Sequence, residues 1–249
     1  MLRLSVVIPA YNEARRIEST LRAVADYLAA EATEGEIVVV DDGSTDQTAA
    51  MVRRFAQHQP TVRLLHYPRN RGKGHAVRSG MLEARGQVAL FCDADGSTPV
   101  AEASKLLQPI ESGQADGAIG SRELPGSELL RAQPFYRRLM GWVFRQLVRL
   151  VAVRGYRDTQ CGFKAFRREA AREIFSRQSV DGFAFDVEVL VIARRLGYRV
   201  VEVPVRWRND PVSHIRPGAD SVRMLVDLLR VRARAWRGAY RSDRPGGTE

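Results

Sequence analysis

Two aspartates carry the clearest chemical signal in the sequence. Asp93 and Asp95 stand two positions apart, immediately after the apolar segment 88–92, which predicts a strand. In an extended turn, carboxylate oxygens with this spacing can reach one divalent cation, and Mg²⁺ or Mn²⁺ held in this way can bind a diphosphate. Asp-x-Asp-Gly is also common in ordinary turns. The pair alone therefore leaves a solvated loop as an alternative.

Two further polar clusters follow apolar segments near the start of the chain. Residues 9–13 come after the β-branched run 4–8, and residues 41–46 come after the run 36–40. Each run predicts a buried parallel strand, and the ligands of parallel sheets bind beyond the carboxyl ends of the strands. We therefore expect the three clusters to meet at one edge of a sheet.

Segments with helical periodicity separate these strands. Apolar spacing predicts a helix over residues 13–32 with Asn12 as its N-cap. Further helices are expected at 46–57, 76–83 and 185–196, and further strands at 62–66, 163–166 and 199–205. This alternation predicts an α/β fold, in which a mainly parallel, Rossmann-like sheet carries helices on both faces.

Taken together, the three clusters resemble the nucleotide-sugar-binding half of family 2 glycosyltransferases, which have the A-type fold. The similarity covers residues 4–125. It implies that Asp93 and Asp95 hold the metal against the diphosphate of the donor. It also implies that the nucleotide-sugar is contacted by Pro9, Ala10, Tyr11, Glu13, Asp41, Asp42, Lys73, Asp93, Ala94 and Asp95. As alternatives, Pro9 and Gly43 can simply shape turns, and residues 44–46 can simply cap a helix.

The segment 70–75 places Arg71 and Lys73 before a predicted helix. It lacks the spacing of the phosphate-binding P-loop, and no Gly-x-Gly-x-x-Gly follows the first strand. These absences argue against ATP hydrolysis and against a dinucleotide oxidoreductase. The resemblance implies that the segment lies on the nucleotide side, and the alternative is that both cations merely lie on the surface.

Three segments narrow the resemblance, namely residues 93–98, 120–122 and 158–164. They are similar to the polyprenyl-phosphate sugar synthases, and to the branch that transfers glucose more than to the branch that transfers mannose. The resemblance implies inverting transfer of a hexose, with UDP-glucose as the preferred donor and polyprenyl or dolichyl phosphate as the acceptor. GDP-mannose and UDP-N-acetylhexosamine remain alternative donors. A saccharide hydroxyl remains an alternative acceptor.

An acceptor of this class accounts for several basic residues. A lipid monophosphate is already ionised at neutral pH, so it needs cations that position it more than a strong base. Guanidinium groups match phosphate oxygens. The candidates for this role are Arg122, Arg137 and Arg138, with Arg208 as a weaker one. For the pair at 137–138 the alternative is a solvated helix face.

Asp158 lies in the most polar part of the second half, and we place it in the active site together with Asp95 and Arg122. It can orient a basic side chain, assist the metal or the donor sugar, or act as a base. Asp186 and Glu188 form another carboxylate pair that can contact sugar hydroxyls. The alternative for this pair is a favourable charge effect at a helix N-terminus.

The charge is distributed unevenly along the chain. The net charge is +10, yet residues 1–130 carry 14 basic and 17 acidic residues, while residues 131–249 carry 25 and 12. This excess predicts an anionic partner, either nucleic acid or an acidic membrane. No nucleic-acid-binding motif appears, and basic and apolar residues share helical spacing over 134–153 and 220–240. This pattern favours an anionic membrane surface, although both helices can instead pack on the sheet.

The remaining composition bears on domains and location. The length of 249 residues fits a single domain over 1–240, with a nucleotide-sugar-binding half at 1–125, an acceptor and membrane-facing half at 126–240 and a disordered tail at 241–249. No apolar run reaches the roughly 18 to 20 residues of a spanning helix, and no secretory signal is seen. Cys92 and Cys161 are interpreted as packing residues. We expect a cytoplasmic protein attached peripherally to the inner face of the cell membrane, of undetermined oligomeric state.

Overall fold

The chain is arranged around two β-sheets in a computed structural model, which describes residues 2–31, 33–131, 146–148, 152–153, 155–208 and 219–241. The strands of the large sheet are β1 (Leu4–Ala10), β2 (Gly35–Asp42), β3 (Val62–Tyr67), β4 (Val88–Cys92), β5 (Gly117–Ser121), β7 (Phe163–Arg167) and β8 (Val200–Pro204). The small sheet pairs β6 (Glu128–Arg131) with β9 (Arg206–Arg208). Both sheets therefore draw strands from the second half of the chain.

The large sheet has the strand order β3-β2-β1-β4-β7-β5-β8. Neighbouring strands run parallel, except that β7 is antiparallel to β4 on one side and to β5 on the other. The helices are α1 (Ile17–Ala30), α2 (Thr48–His58), α3 (Lys73–Glu83), α4 (Ala103–Glu111), α5 (Arg168–Arg177), α6 (Phe185–Arg195) and α7 (Ala219–Trp236). A short 3₁₀ turn, Val100–Glu102, precedes α4.

Alternating side chains divide the core into two layers, one on each face of the large sheet. On β1, for example, Val7 belongs to one layer, whereas Val6 and Ile8 belong to the other. Helices α3, α5, α6 and α7 contribute to the first layer, and α1, α2 and α4 contribute to the second. The predicted mainly parallel α/β fold with helices on both faces is confirmed.

Two predicted helix starts were wrong. Asn12 is not the N-cap of α1, which begins at Ile17; Asn12 has a positive φ of 55°, and its side-chain oxygen accepts a hydrogen bond from the main-chain N–H of Thr45 (2.8 Å). Helix α3 begins at Lys73, three residues earlier than predicted, because Gly72 adopts a φ of 114° that side chains disfavour. A Cβ on Gly72 would lie 2.4 Å from the carbonyl oxygen of Asp181.

Some predictions concern residues outside the described part of the chain. They include most of the amphipathic segment 134–153, Arg137 and Arg138 within it, and the tail from residue 242. Within the described residues, none of the helices combines the length and the apolar character that crossing a membrane requires.

Candidate active site

The carboxyl ends of β1, β2 and β4 meet at one edge of the large sheet, as predicted. Ala10 at the end of β1 is in register with Asp41 at the end of β2, and β4 pairs with β1 on its other side. The loops that follow these strands carry the three polar clusters. This edge is therefore where the donor-side candidates come together.

Asp93, the first residue after β4, has tightly packed surroundings. Its main-chain N–H donates to the carbonyl of Gly162 (3.2 Å), and its carboxylate lies directly over that glycine. A Cβ at position 162 would lie 2.2 Å from Asp93 Oδ2, which no real contact tolerates. The carboxylate of Asp93 also forms an ion pair with Lys73, whose Nζ lies 2.6 Å from Oδ1.

The loop that carries Asp95 is held from two sides. Asp95 Oδ1 accepts a hydrogen bond from the main-chain N–H of Ser97 (2.8 Å), and the carbonyl of buried Ala94 accepts one from Thr20 Oγ1 on α1 (2.7 Å). The carbonyl of Ser97 accepts one from the N–H of Arg208 at the end of β9 (2.8 Å). Burial, followed by the charge of Asp93, raises the pKa of Asp95. Both effects would be relieved by a cation.

The two carboxylates fit a divalent metal that is shared with a substrate. Hard oxygen donors are the ligands that Mg²⁺ and Mn²⁺ prefer, and Mg²⁺ typically takes one or two carboxylates together with phosphate oxygens. Within the described residues no group of three or more acidic, His or Cys side chains could hold a metal on its own. Asp93 and Asp95 would therefore supply part of the coordination, and a diphosphate and water would supply the rest.

The two aspartates at the end of β2 are buried and bind neighbouring loops. Asp42 accepts hydrogen bonds from the main-chain N–H groups of Arg71 (3.1 Å to both oxygens) and Gly72 (2.7 Å), which fixes the loop before Lys73. Burial raises the pKa of Asp42, and these hydrogen bonds only partly oppose the effect. Asp41 Oδ2 lies 2.7 Å from His66 Nδ1 on β3. Their predicted contact with the nucleotide stays a prediction.

The cluster after β1 is mostly internal. Pro9 and Ala10 are buried at the end of the strand, and Glu13 is paired with Arg16 (2.6 Å) while its N–H donates to Thr48 Oγ1. Tyr11 is 36% exposed and is the member of this cluster with the most accessible ring. Among these residues, Tyr11 is best placed to contact a ligand at the sheet edge.

Arg122 and Asp158, two of the residues predicted for the active site, form an ion pair in which Asp158 is buried. Nε and Nη2 of Arg122 donate to the two oxygens of Asp158 (2.6 and 2.9 Å), and the N–H of Arg122 donates to Oδ2 (3.0 Å). The guanidinium also lies over the ring of Trp207 on β9, 5.3 Å from its centroid. The main-chain N–H groups of Arg157 and Asp158 donate to Glu202 on β8.

This pairing determines what Asp158 can do. Burial disfavours its charge, but the Arg122 guanidinium and its hydrogen bonds outweigh that effect and lower the pKa of Asp158 to about 2. A carboxylate that is fully ionised, with both oxygens bound, is a poor general base. Of the roles considered for Asp158, orienting an arginine is the one that this geometry supports.

A second buried ion pair lies close enough to Asp93 to feel its charge. Lys164 on β7 is fully buried, donates to the carbonyl of Cys161 (2.6 Å) and contacts the carboxylate of Asp186 on α6. Burial raises the pKa of Asp186 against the attraction of Lys164 and Lys73. Lys164 was not among the predicted site residues, although a lysine inside the apolar strand Phe163–Arg167 indicates a buried partner.

Glu188 does not face a sugar, contrary to one of its two suggested roles. Its side chain is fully buried on α6 and accepts hydrogen bonds from Ser179 N–H and Oγ, from Val180 N–H and from the hydroxyl of Tyr240 (2.7 to 2.9 Å). The cysteines are buried as predicted, and burial raises the pKa of Cys161 to about 11, so its thiol is neutral.

Comparisons with known proteins agree with this geometry. Residues 5–175 match the family model described as glycosyl transferase family 2. The chain is 40% identical over 253 residues to a dolichyl-phosphate beta-glucosyltransferase of Trichomonas vaginalis, covering 96% of this chain and 74% of the relative. It is 38% identical over 252 residues to the dolichyl-phosphate beta-glucosyltransferase of Homo sapiens, covering 96% and 78%.

A solved structure shares the fold. Glucosyl-3-phosphoglycerate synthase from Mycobacterium tuberculosis, in complex with Mn²⁺, UDP and glucosyl-3-phosphoglycerate, superposes with a TM-score of 0.68 at 22% identity, covering 93% of this chain and 80% of that one. Three strand-end clusters on a mainly parallel sheet, the family match and the long similarity to glucosyltransferases lead to one assignment: this chain is a glycosyltransferase of family 2 with the A-type fold, similar to the dolichyl-phosphate beta-glucosyltransferases.

Proposed function

We propose that the protein transfers glucose from UDP-glucose to a polyprenyl phosphate such as dolichyl phosphate, with inversion at the anomeric carbon. The support from relatives is their identity of 38 to 40% across 96% of this chain, together with the dolichyl-phosphate beta-glucosyltransferase names that they carry. Within this proposal residues 1–125 form the donor half and residues 126–240 form the acceptor half of one domain.

The donor is held at the carboxyl edge of β1, β2 and β4. Asp93 and Asp95 would hold Mg²⁺ or Mn²⁺, which when bound neutralises charge on the departing nucleoside diphosphate. Lys73 stands beside them as a further cation, 2.6 Å from Asp93. The exposed ring of Tyr11 lies where the nucleotide would pack. The remaining donor-side candidates shape the loops around this pocket.

The observation that supports a phosphate acceptor is the ion pair between Asp158 and Arg122. A hydroxyl acceptor needs a base to remove its proton, and Asp158 is already ionised with both oxygens bound. A phosphate oxygen needs no such base, because it attacks the anomeric carbon as an anion. The bond to UDP then breaks, and UDP leaves with the electron pair.

Two arginines are available to position that phosphate. The side chain of Arg122 is 23% exposed, and the described residues occupy its Nε and Nη2 but leave Nη1 without a hydrogen bond. Arg208 is exposed, and its main-chain N–H donates a hydrogen bond to the carbonyl of Ser97, in the loop that carries Asp95. Arg137 and Arg138 stay candidates, but they lie outside the described residues.

Helix α7 supports contact with an anionic membrane, which a lipid acceptor requires. Met224, Leu228 and Val231 are buried against the domain, whereas other apolar side chains of the same helix face outward. Leu229 is 53% exposed and Trp236 is 74% exposed. The exposed arginines of this helix and the residue after it are Arg223, Arg230, Arg234 and Arg237. Outward apolar and basic residues together are typical of an interfacial helix, so we place the protein peripherally on the cytoplasmic face of the cell membrane.

A substrate matrix tests the proposal. Radiolabelled UDP-glucose, GDP-mannose and UDP-N-acetylhexosamine are each offered with a short polyprenyl phosphate or with the free polyprenol, and the product is counted in the organic phase. We expect transfer from UDP-glucose to the phosphate and none to the alcohol. Equal transfer to the free polyprenol would contradict the phosphate mechanism, and preference for another donor would change the sugar.

Arginine variants test whether Arg208 contacts the acceptor phosphate. Arg208→Ala should raise the acceptor KM on the order of tenfold, with little change in UDP binding, because one phosphate contact is lost. The matched control is Arg206→Ala, because Arg206 lies on the same strand but its guanidinium is already paired with Glu102 (2.7 Å). Equal effects of the two substitutions would remove Arg208 from the acceptor site.

Point variants also test the membrane contact. Leu229→Glu should weaken sedimentation with vesicles that contain anionic lipid, while Ala29→Glu, an exposed position on α1 across the sheet, should not. Deleting the whole helix would be a poor test, because Leu228, Val231 and Tyr240 belong to the core. If both variants sediment like the unmodified protein, α7 is not the contact surface.

A further inference from the structure

Lys73 differs from the other cations of the site in having a partner that a metal would also require. It is the first residue of α3, and its Nζ lies 2.6 Å from Oδ1 of Asp93. The side chains of Lys73 and Asp93 are 25% and 30% exposed, so neither is sealed in the core. The ammonium therefore contacts an oxygen of the first proposed metal ligand in a position that is only partly buried.

The electrostatic surroundings of Lys73 are strongly negative. Asp93, Asp186 and Asp95 all attract its ammonium. The other lysine nearby, Lys164, is committed to Asp186 and to the carbonyl of Cys161 in a fully buried position. Among the described residues, Lys73 is consequently the cation that directly balances Asp93.

The main chain around Lys73 is fixed, so a change of partner would involve its side chain alone. The preceding N–H of Gly72 donates to Asp42, and the following N–H of Gly74 donates to the carbonyl of Asp181 (2.7 Å). Gln178 Nε2 donates to the carbonyl of Gly74 (2.9 Å). A long flexible side chain on a rigid anchor can turn from Asp93 towards a nearby phosphate without any loop movement.

We propose that Lys73 is an exchangeable counterion that makes divalent metal binding depend on the nucleoside diphosphate. Without nucleotide, a metal must displace the ammonium from Asp93 and so separate it from its ion-pair partner. When a diphosphate arrives with the metal, its oxygens give the ammonium a new partner, and Asp93 is released to the metal. The inference rests on the proposed donor site and adds to it a coupling between metal binding and diphosphate binding.

The same contacts make the coupling reciprocal. If UDP raises the affinity for metal by a given factor, metal must raise the affinity for UDP by the same factor. Removing the ammonium should affect the two states in opposite directions. Metal alone should bind more tightly, because Asp93 and Asp95 lose a competing cation, and UDP should contribute less, because its diphosphate loses a partner.

The experiment measures Mn²⁺ binding by electron paramagnetic resonance, with and without UDP, and needs no turnover. In the unmodified protein, UDP should tighten Mn²⁺ binding on the order of tenfold or more. In Lys73→Met, Mn²⁺ alone should bind about fivefold more tightly, and the gain from UDP should shrink by a similar factor. The matched control is Lys105→Met. It removes a lysine of α4 that is paired with Glu102 and should leave both Mn²⁺ affinities unchanged.

The outcomes separate the two proposals. If UDP does not tighten Mn²⁺ binding in the unmodified protein, the proposed donor site is wrong. If UDP does so but Lys73→Met binds Mn²⁺ alone no better than the unmodified protein, the counterion role is overturned. Lys73→Arg keeps the charge and should retain the coupling, so its behaviour, together with matching thermal unfolding of all variants, excludes misfolding as the cause.

Discussion

The end of β2 and the loop before β7 each bury one aspartate, but the two aspartates have different hydrogen-bond partners. Asp42 accepts hydrogen bonds from the main-chain N–H groups of Arg71 and Gly72. Asp158 accepts them from the guanidinium of Arg122. The first arrangement fixes a loop with neutral dipoles, and the second joins two full charges into a neutral unit.

The pKa values of the two aspartates move in opposite directions because of this difference. Burial raises the pKa of Asp42, since neutral donors compensate the charge only in part. In Asp158 the guanidinium outweighs burial and brings the pKa to about 2. On the proposed donor side, these bonds therefore keep loops in place around a site that a metal would complete, whereas the proposed acceptor side carries its compensating cation within the chain.

The largest expected effect comes from Asp158→Asn. The substitution leaves the Arg122 guanidinium, whose side chain is 23% exposed, without its counterion, so we expect a loss of about 2–3 kcal/mol of unfolding free energy. Urea denaturation followed by circular dichroism measures it. The control is Glu111→Gln, which breaks an exposed pair with Arg3 of the same two-bond geometry (2.7 and 2.8 Å) and should cost less than about 1 kcal/mol.

The same pair gives a pH dependence with a defined sign. The folded-state pKa of Asp158 lies below its ordinary value of 3.8, at about 2, so its contribution is complete above that ordinary value and is lost as the pH falls towards 2. The loss amounts to roughly 2 kcal/mol. Stability measured from pH 5 to 2 should fall less steeply in Asp158→Asn; identical slopes would contradict the assignment.

A smaller loss, in turnover and not in stability, is expected from Gly162→Ala, because the loop before β7 contacts Asp93 at this glycine. The added methyl would meet the carboxylate of Asp93 at 2.2 Å and push it from its position. A displacement of this kind at a reacting site can reduce turnover on the order of a hundredfold. Steady-state rates at saturating metal measure it. The control is Gly182→Ala, because a Cβ at this position would meet only a side-chain oxygen, at 3.5 Å. Gly113→Val is not suitable as a control, because the φ of Gly113 is 73°.

The smallest expected effect is that of Asp42→Asn. The amide oxygen can still accept from Gly72, but the amide nitrogen faces the remaining N–H of Arg71, so about 1–2 kcal/mol should be lost. Because burial raises the pKa of Asp42, its charged form is destabilising, and that contribution disappears as the pH falls through the folded pKa. A loss as large as that of Asp158→Asn would remove the contrast between the two loops.

The sequence was sufficient for the features that depend on local pattern. The strands ending near Asp42 and Cys92 and the clusters after them follow from apolar runs and turn residues, which act over a few positions. The start of α3 was misplaced because it depends on Asp181, more than a hundred residues away, accepting hydrogen bonds from its first turn. Long-range partners of this kind leave no periodic signal.

The site was predictable in its members but not in its pairings. Arg122 and Asp158 were both predicted to be site residues. That two side-chain N–H groups of Arg122 donate to Asp158 could not be predicted, because the two residues are 36 positions apart in the sequence. Lys164 pairs with Asp186 from β7, a strand that runs antiparallel between β4 and β5. Strand direction is a property of the whole topology, which a single sequence does not display.

The hydrogen bond from Tyr240 to Glu188 affects the order in which parts of the chain can fold during synthesis. The two residues are separated by 52 positions, so a growing chain contains the carboxylate well before the hydroxyl that helps to satisfy it. Until Tyr240 arrives, the turn at 179–180 that Glu188 holds, and with it the neighbouring start of α3, lacks one of its supports. During synthesis, therefore, we expect the proposed donor site to form fully only after Tyr240 has packed against the domain, although most residues of that site are translated first.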